Sequence, residues 1–272
     1  MISMTIEESR RFNTLNLQLV ADYFHVQPNR LLGFYNELLG DKHFLDELNA
    51  KIRKTRVDFN YQRGLFRHAS ISSVDWFAGQ RIVLYVLIRL LQPEICVETG
   101  VFYGGNTAFM LNALHKNGYG RLISMDLPAL QIAQKGMFVR HSKVGDSEFL
   151  PEGLTAGFII PDYLKDRWEF FEEDSLKILE NINCSYSFFC HDSEHSREFM
   201  LRELELARRG LTPGGSILAD DIDWSNGFYE FCVTGKLYPL CLPDNGKGGL
   251  RVRTGIVRLD HPFNGQPETT GV

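Results

Sequence analysis

The spacing of apolar residues in the first part of this chain is helical, and no run there has the character of a strand. Thr5-Ile-Glu-Glu8 has the pattern of a capping box, in which a threonine and a glutamate close the start of a helix. Pro28 suits the first turn of a second helix over 29–39, which Gly40 ends, and Asp41 can cap a third. We expect this part either to cover one side of a core or to form a lid or dimerisation element over a substrate pocket.

From about residue 75 onward, short apolar runs alternate with amphipathic stretches. A strongly apolar helix is predicted over 75–91, and it leads into Ile95-Cys-Val97, a run typical of a strand buried on both faces. The remaining predictions are strands over 122–126, 168–172, 186–191 and 216–219, helices over 107–114, 175–182 and 227–233, a helix that carries Met200 to Leu211, and a hairpin over 237–242 and 250–259. The alternation predicts an α/β fold: a doubly wound (Rossmann-like) seven-stranded sheet, mostly parallel, with a C-terminal antiparallel hairpin and an N-terminal helical extension.

The pattern divides the chain into a helical extension or lid over 1–74, one sheet domain over 75–262, and a tail over 263–272 that is expected to fray. The segment 128–161 is longer than a simple connection needs, and long loops of this kind are usually functional or disordered. In the helix after the fourth strand, one apolar stripe carries Met200, Leu204, Ala207 and Leu211. Glu203 is predicted to lie off that stripe.

Composition places the chain among ordinary globular proteins, with 44% hydrophobic and 23% charged residues. The formal net charge of −5 argues against a nucleic-acid-binding surface. The polar, acidic start shows no signal peptide, and the longest apolar run, over 82–88, is too short to cross a membrane. Five cysteines without a Cys-x-x-Cys pair indicate reduced thiols in a cytoplasmic protein and no zinc site.

A glycine-rich turn, formed by Gly100 and the Gly104-Gly105 pair, joins the first strand to its helix. A dinucleotide fingerprint would need glycine where Phe102 stands, and a phosphate-binding P-loop would need lysine where Asn106 stands. Both assignments therefore fail. What remains is Glu98 two residues before the first glycine and no cation for a polyphosphate, which suits a cationic nucleoside without phosphates.

Acidic residues close all five predicted parallel strands, where ligands bind in sheets of this kind. These residues are Glu98, Asp126, Asp174, Asp192 and the pair Asp220-Asp221. Any one of them alone is best explained as a helix cap or turn residue. Five together favour a functional site.

The motif of an acidic residue, any residue, glycine and further small residues resembles that of the class I S-adenosylmethionine-dependent methyltransferases, over roughly residues 80–260. The resemblance implies S-adenosyl-L-methionine as cofactor. Asp126 is placed to accept hydrogen bonds from both ribose hydroxyls, and Asp174 with Ser175 falls at the adenine-binding position of the family. The residues expected to bind the cofactor are Glu98, Thr99, Gly100, Gly104, Asn106, Thr107, Asp126, Asp174, Ser175 and His191.

A second motif pairs His191-Asp-Ser-Glu-His-Ser196 with Ala219-Asp-Asp-Ile-Asp223, at the ends of strands four and five. Neighbouring strands lie about 5 Å apart. Asp192 and the Asp220-Asp221 pair can therefore meet on one hard cation such as Mg²⁺, which prefers carboxylate ligands. A metal would orient an acceptor hydroxyl and lower its pKa.

This motif resembles that of the metal-dependent small-molecule O-methyltransferases, which include catechol, caffeoyl-CoA and macrolide- or aminocoumarin-sugar enzymes. The resemblance implies that Asp192, Asp220 and Asp221 bind the metal, with Asp192 also in the catalytic set. His195 falls at the general-base position of some members and Glu194 at that proposed for others. Glu194 is longer than the usual aspartate, which leaves the choice of base open.

We therefore expect an enzyme, an S-adenosylmethionine-dependent, Mg²⁺-assisted methyltransferase that acts on a hydroxyl of a small molecule such as a secondary metabolite or sugar. The alternatives are a metal-independent N- or O-methyltransferase, a non-catalytic cofactor-binding regulatory protein, and a cephalosporin-hydroxylase-like enzyme on the same scaffold. The Asn/Asp-Pro-Pro-Tyr sequence of many nucleic-acid methyltransferases is absent after strand four. No nucleic-acid or membrane partner is expected, and a homodimer is the favoured assembly.

Overall fold

The computed structural model describes residues 5–54, 73–74, 79–127, 154–244 and 251–262. The predicted helix start at 75–78, most of the long segment 128–161, the hairpin turn and the tail after 262 lie outside the described residues. The helices are α1 (Ile6–Tyr23), α2 (Pro28–Leu39), α3 (Lys42–Lys54), α4 (Gly79–Leu91), α5 (Gly105–Asn117), α6 (Ser175–Asn181), α7 (Arg197–Gly210) and α8 (Gly227–Gly235). The strands are β1 (Ile95–Thr99), β2 (Arg121–Asp126), β3 (Trp168–Glu172, after a 3-10 turn over Asp162–Arg167), β4 (Tyr186–His191), β5 (Leu211–Ala219), β6 (Leu237–Asp244) and β7 (Arg251–Pro262).

The seven strands form one sheet in the order β3-β2-β1-β4-β5-β7-β6. Strands β1 to β5 pair in parallel, and β7 runs antiparallel to both β5 and β6. The predicted fold class is therefore confirmed. Because the order reverses at β1 and β4, the carboxyl ends of these two central strands border the crevice in which open α/β sheets bind ligands.

Several element boundaries differ from the prediction by a few residues, and two of these differences involve strands that border the site. Strand β1 extends through Glu98 to Thr99, so the acid lies inside the strand. Strand β5 begins at Leu211, which the helical pattern assigned to the preceding helix. The reason is that Leu211 pairs with Tyr186, and a register shift then separates this pair from that of Phe188 and Ser216.

The central strands of the sheet are buried on both faces. Consecutive strand residues such as Cys96 and Val97 belong to different apolar clusters, as period-two alternation requires. One cluster contains α1 to α5, and the other contains α6, α7 and α8. All five cysteines are free thiols. None of the helices in the described ranges is long and apolar enough to cross a membrane.

The N-terminal helices are built as their caps predict and share the main core. Thr5 caps α1 and forms both hydrogen bonds of the capping box with Glu8. The side chains of Leu17, Leu38 and Phe44 are fully or almost fully buried in the same cluster as α4 and α5. This packing agrees with the first of the two expected roles, that of covering one side of the core. A lid function and the boundary at residue 74 stay predictions.

Candidate active site

The glycine turn brings β1 against the end of β4. Gly100 has φ +80°, and a Cβ built there would lie 2.0 Å from the carbonyl oxygen of Asp192. The backbone N–H of Asp192 also donates to the carbonyl of Thr99 (2.9 Å). Only glycine allows this approach. Gly104, with φ +93°, precedes the first turn of α5, and a side chain there would meet Gly157 and Ile160.

Asp126 closes this turn from the side. Its Oδ2 accepts hydrogen bonds from the backbone N–H groups of Val101 (3.0 Å) and Phe102 (2.7 Å), and its Oδ1 accepts one from that of Leu127 (2.8 Å). Burial raises the pKa of Asp126, although these donors oppose the increase. Asp126 therefore shapes the glycine turn. Its contact with ribose stays a prediction.

Glu98 is a buried part of the scaffold. Its Oε2 accepts hydrogen bonds from Thr107 Oγ1 (2.9 Å) and Ser124 Oγ (2.7 Å), whereas Oε1 has no partner among the residues described. Burial raises the pKa of Glu98 to about 8. Thr99 and Thr107 also have no exposed surface. The side chains of Glu98, Thr99 and Thr107 are thus buried beside the glycine turn. Their direct contact with a cofactor stays a prediction.

Asp174 and Ser175 stand at the start of α6. Asp174 Oδ1 accepts a hydrogen bond from the N–H of Leu176 (3.0 Å) and so caps the helix. The hydroxyl of Ser175 is buried and donates to Glu203. The capping explanation therefore holds for Asp174, and adenine binding remains a prediction for both residues.

The acids at the ends of β4 and β5 come together as predicted. Asp192 Oδ2 accepts a hydrogen bond from Asn106 Nδ2 (2.7 Å). In the amide orientation that satisfies its neighbours, Gln80 donates to both carboxylate oxygens of Asp220 (2.7 and 2.9 Å). Burial, together with the charges of Asp220 and Asp221, raises the pKa of Asp192 well above its usual value.

His195 faces this acidic group. Its Nε2 lies 3.9 Å from Asp192 Oδ1 and 4.0 Å from Asp221 Oδ2. Burial, with a smaller contribution from His191, lowers the pKa of His195 to about 4. The imidazole is therefore neutral near pH 7, as a general base must be before it accepts a proton.

The side chain of Glu194 makes a different contact. Its Oε1 accepts a hydrogen bond from the backbone N–H of Ser196 (3.2 Å), at the start of α7. Of the two candidate bases, only His195 has a side-chain atom within about 4 Å of the acidic group among the contacts of the described residues. The geometry thus favours His195 over Glu194.

Three carboxylates at two adjacent strand ends have the right donor chemistry for Mg²⁺. However, Asp221 is already ion-paired with Arg253 on β7. In the described part of the chain, no set of three His, Cys, Asp or Glu side chains is arranged to hold a metal ion. Asp192 and Asp220 would be the first ligands, and Asp221, whose Oδ1 is paired with Arg253, would have its Oδ2 to offer.

Several residues of the site were not identified from the sequence, and Glu203 on α7 is the most deeply buried acid among them. It was predicted to lie off the apolar stripe, but it has no exposed surface. It accepts hydrogen bonds from Thr99, Ser175 and Ser193 and contacts His191. A signal was present, since Glu203 lies three residues after Met200 and four before Ala207, on the inward face of the helix.

Comparisons with known proteins bear on the same region. Residues 97–222 match the family model described as a methyltransferase domain. The sequence has no match among functionally curated proteins.

Solved structures share the fold at low identity. The O-methyltransferase TomG from Streptomyces achromogenes, involved in tomaymycin synthesis and solved in complex with SAM, is 14% identical with a TM-score of 0.52, covering 94% of this chain and 99% of that chain. The cofactor-bound protein Rv0187 from MTB is 13% identical with a TM-score of 0.52, covering 82% and 93%. A candidate O-methyltransferase from Klebsiella pneumoniae is 18% identical with a TM-score of 0.51, covering 79% and 89%.

Proposed function

We propose that this chain, of which residues 97–222 match a family model described as a methyltransferase domain, is a class I S-adenosylmethionine-dependent enzyme that methylates a hydroxyl group of a small molecule. The observation that supports the proposal best is the position of His195. Its Nε2 is within 4.0 Å of carboxylate oxygens from both Asp192 and Asp221. The backbone of Asp192 lies against Gly100 of the glycine turn. The proposed base, the two acids and the turn expected to bind the cofactor are therefore neighbours.

The chemistry follows from these positions. Bound S-adenosylmethionine supplies a methyl group on a positively charged sulfur. His195 takes the proton of the acceptor hydroxyl as its oxygen bonds to that methyl carbon, and the carbon–sulfur bond breaks to leave S-adenosylhomocysteine. Asp192 and Asp221 stabilise the imidazolium that forms, because both carboxylates lie near Nε2.

The proposal includes assistance of the reaction by Mg²⁺. A hard cation held by Asp192 and Asp220 would orient the acceptor oxygen and lower its pKa. The ion pair between Asp221 and Arg253 favours a second candidate, a metal-independent methyltransferase in which Arg253 supplies the positive charge. Activity that survives EDTA would select the second candidate.

The test measures binding before turnover. Calorimetry with S-adenosylhomocysteine should show binding without added metal. If the chain does not bind it, the proposed methyltransferase activity is wrong. A set of catechols, flavonoids and sugar derivatives is then incubated with S-adenosylmethionine, with Mg²⁺ or with EDTA. Mass spectrometry should show the gain of CH₂. A gain of one oxygen atom would instead support the hydroxylase-like alternative, and binding without any product would support a regulatory protein.

The assembly is proposed to be a homodimer with no nucleic-acid or membrane partner. Light scattering of the purified chain decides the first part, and a mass of one chain would overturn it.

A further inference from the structure

Glu203 is a carboxylate held where water cannot reach it. It lies in the middle of α7, and its exposed fraction is 0%. Burying a charged carboxylate costs several kcal/mol unless hydrogen bonds replace the lost water. A residue of this kind is retained only where its surroundings satisfy it.

Four donors from four segments meet on this one carboxylate. Thr99 Oγ1 at the end of β1 donates to Oε2 (2.7 Å), and Ser193 Oγ in the turn after β4 lies 2.9 and 3.0 Å from the two oxygens. The remaining donors are the Ser175 hydroxyl at the start of α6 and Nδ1 of His191. Burial raises the pKa of Glu203, but His191 and the hydroxyls outweigh it, so the pKa lies below its usual value.

The contact with Glu203 decides how His191 is presented. Because Nδ1 is engaged by the carboxylate, the ring cannot rotate without breaking that bond, and Nε2 is the nitrogen left for other contacts. His191 is fully buried, and its Nε2 has no partner among the residues described. The ring meets that of His195 edge to face, with centroids 5.5 Å apart.

A second connection runs through Ser193. This residue is two positions before His195, and its hydroxyl is bound to both oxygens of Glu203. Glu203 therefore reaches His195 along two routes, the ring of His191 and the backbone of the turn.

We infer that Glu203 is a positioning residue that sets the orientation of His195 by holding His191 and the Ser193 turn in place. The inference rests on the proposed role of His195 in methyl transfer. It assigns to Glu203 no contact with the cofactor or the acceptor. Loss of its carboxylate should lower the rate of the chemical step more than it weakens cofactor binding, to which Glu203 is linked through Thr99, Ser175 and His191.

The test is a pair of substitutions made in two backgrounds. Glu203→Gln keeps the shape of the side chain but sets an amide N–H against groups that donate. In the otherwise native enzyme, kcat should fall by about 10-fold to 100-fold, while the Kd for S-adenosylhomocysteine should rise by a smaller factor, less than about 5-fold. In a His195→Gln background, Glu203→Gln should change kcat less than about 2-fold, because a residue that acts through His195 has nothing left to position.

Two controls separate positioning from general loss of structure. Leu204→Ala removes a neighbouring core side chain of α7 and should lower Tm at least as much as Glu203→Gln, without the same loss of kcat at temperatures well below Tm. Glu205→Gln changes an exposed acid of the same helix and should leave both unchanged. If Glu203→Gln lowered kcat by the same factor in the native and His195→Gln backgrounds, the inference would be overturned.

One readout does not depend on turnover. Proton NMR of the imidazole N–H groups should show a low-field signal that disappears in Glu203→Gln and persists in Glu205→Gln. Without that signal in the native protein the Glu203–His191 contact, and with it the inference, fails. If the signal is present but no methyl transfer occurs with any acceptor, the proposed function fails and the contact stands.

Discussion

The guanidinium of Arg253 is ion-paired with the carboxylate of Asp221, one of the three acids expected to bind a metal. Two residues before Arg253 on the same strand, Arg251 Nε donates to Asp223 Oδ2 at 2.6 Å. Two arginines on β7 thus hold two aspartates of the loop after β5. The pair of Arg253 and Asp221 faces the acidic group at His195, because Asp221 Oδ2 lies 4.0 Å from His195 Nε2.

These parallel pairs give a matched test of the metal hypothesis. Arg253→Met removes the positive charge that competes for Asp221, so binding of Mn²⁺ should become at least about tenfold tighter. Arg251→Met removes an arginine from the same strand but frees only Asp223, and it should leave Mn²⁺ affinity unchanged. Electron paramagnetic resonance measures free Mn²⁺ in both titrations. Equal affinities in the two variants would show that Arg253 does not compete with a cation.

His195 should be needed for the chemical step and not for cofactor binding. His195→Gln removes the base beside Asp192 and Asp221, so kcat should fall by about 10²-fold to 10⁴-fold. Glu194→Gln weakens a hydrogen bond to the N–H of Ser196 at the start of α7 and should lower kcat less than about tenfold. The Kd for S-adenosylhomocysteine, measured by calorimetry, should be similar in both variants. A larger loss of kcat in Glu194→Gln would transfer the role of base to Glu194.

Glu98 should make the fold less stable as pH rises. Its pKa is about 8 in the folded chain, against 4.5 for an ordinary glutamate. Below pH 4.5 the carboxyl is protonated in both states, so folding costs nothing there. Between pH 4.5 and about 8 the unfolded chain releases a proton that the folded chain retains, and the free energy of unfolding therefore falls across this window.

Glu98→Gln keeps the uncharged shape and should remove this dependence. At pH 8 the variant should be more stable than the native protein, by at most about 5 kcal/mol for a difference of this size in pKa. At pH 4.5 the two should be alike. Urea unfolding at both pH values measures the difference, with the exposed Glu205→Gln as control. If the free energy of unfolding depended on pH equally in the native and Glu98→Gln proteins, Glu98 would be ionised in the folded chain and the prediction would be wrong.

Gly100 should resist substitution far more than another glycine with the same backbone angle. Gly118 has φ +79° and open space where a Cβ would lie, whereas Gly100 has φ +80° and the carbonyl of Asp192 at 2.0 Å. Gly118→Ala therefore tests backbone strain alone, at a cost of about 1 kcal/mol. Gly100→Ala should cost clearly more and weaken S-adenosylhomocysteine binding, measured by urea unfolding and calorimetry. Equal costs would show that β4 can move aside.

Much of the fold was predictable because its signals are local. Thr5 with Glu8, Pro28 and Gly40 set helix ends through contacts within a few residues, and the structure has those ends. Leu211 was misassigned because its spacing continues a helical stripe. Its pairing with Tyr186 depends on a strand 25 residues earlier in the chain, and no local pattern carries that information.

The site divides in the same way. The acids at strand ends could be located, since parallel topology brings those ends to one edge. The roles of single residues could not, because they depend on which partner reaches each oxygen. Arg253, which pairs with Asp221, and Glu203, which contacts His191, lie on other elements, 32 and 12 residues further along the chain. Both are decided by packing, and neither belongs to a motif.

The hydroxyl of Tyr23 donates to the carbonyl of Tyr238 (2.6 Å) and accepts from the N–H of Arg258 (3.2 Å), so α1 is fastened to the hairpin of β6 and β7. Asn16 Nδ2 makes a similar bond to the carbonyl of Pro243 (2.9 Å). During synthesis α1 leaves the ribosome before these partners, which follow more than 200 residues later. Leu17 and Val20 can pack against the nearer helices of their cluster earlier than this, whereas the bonds to the hairpin cannot form. The attachment of α1 is thus completed only after β6 and β7 have been made.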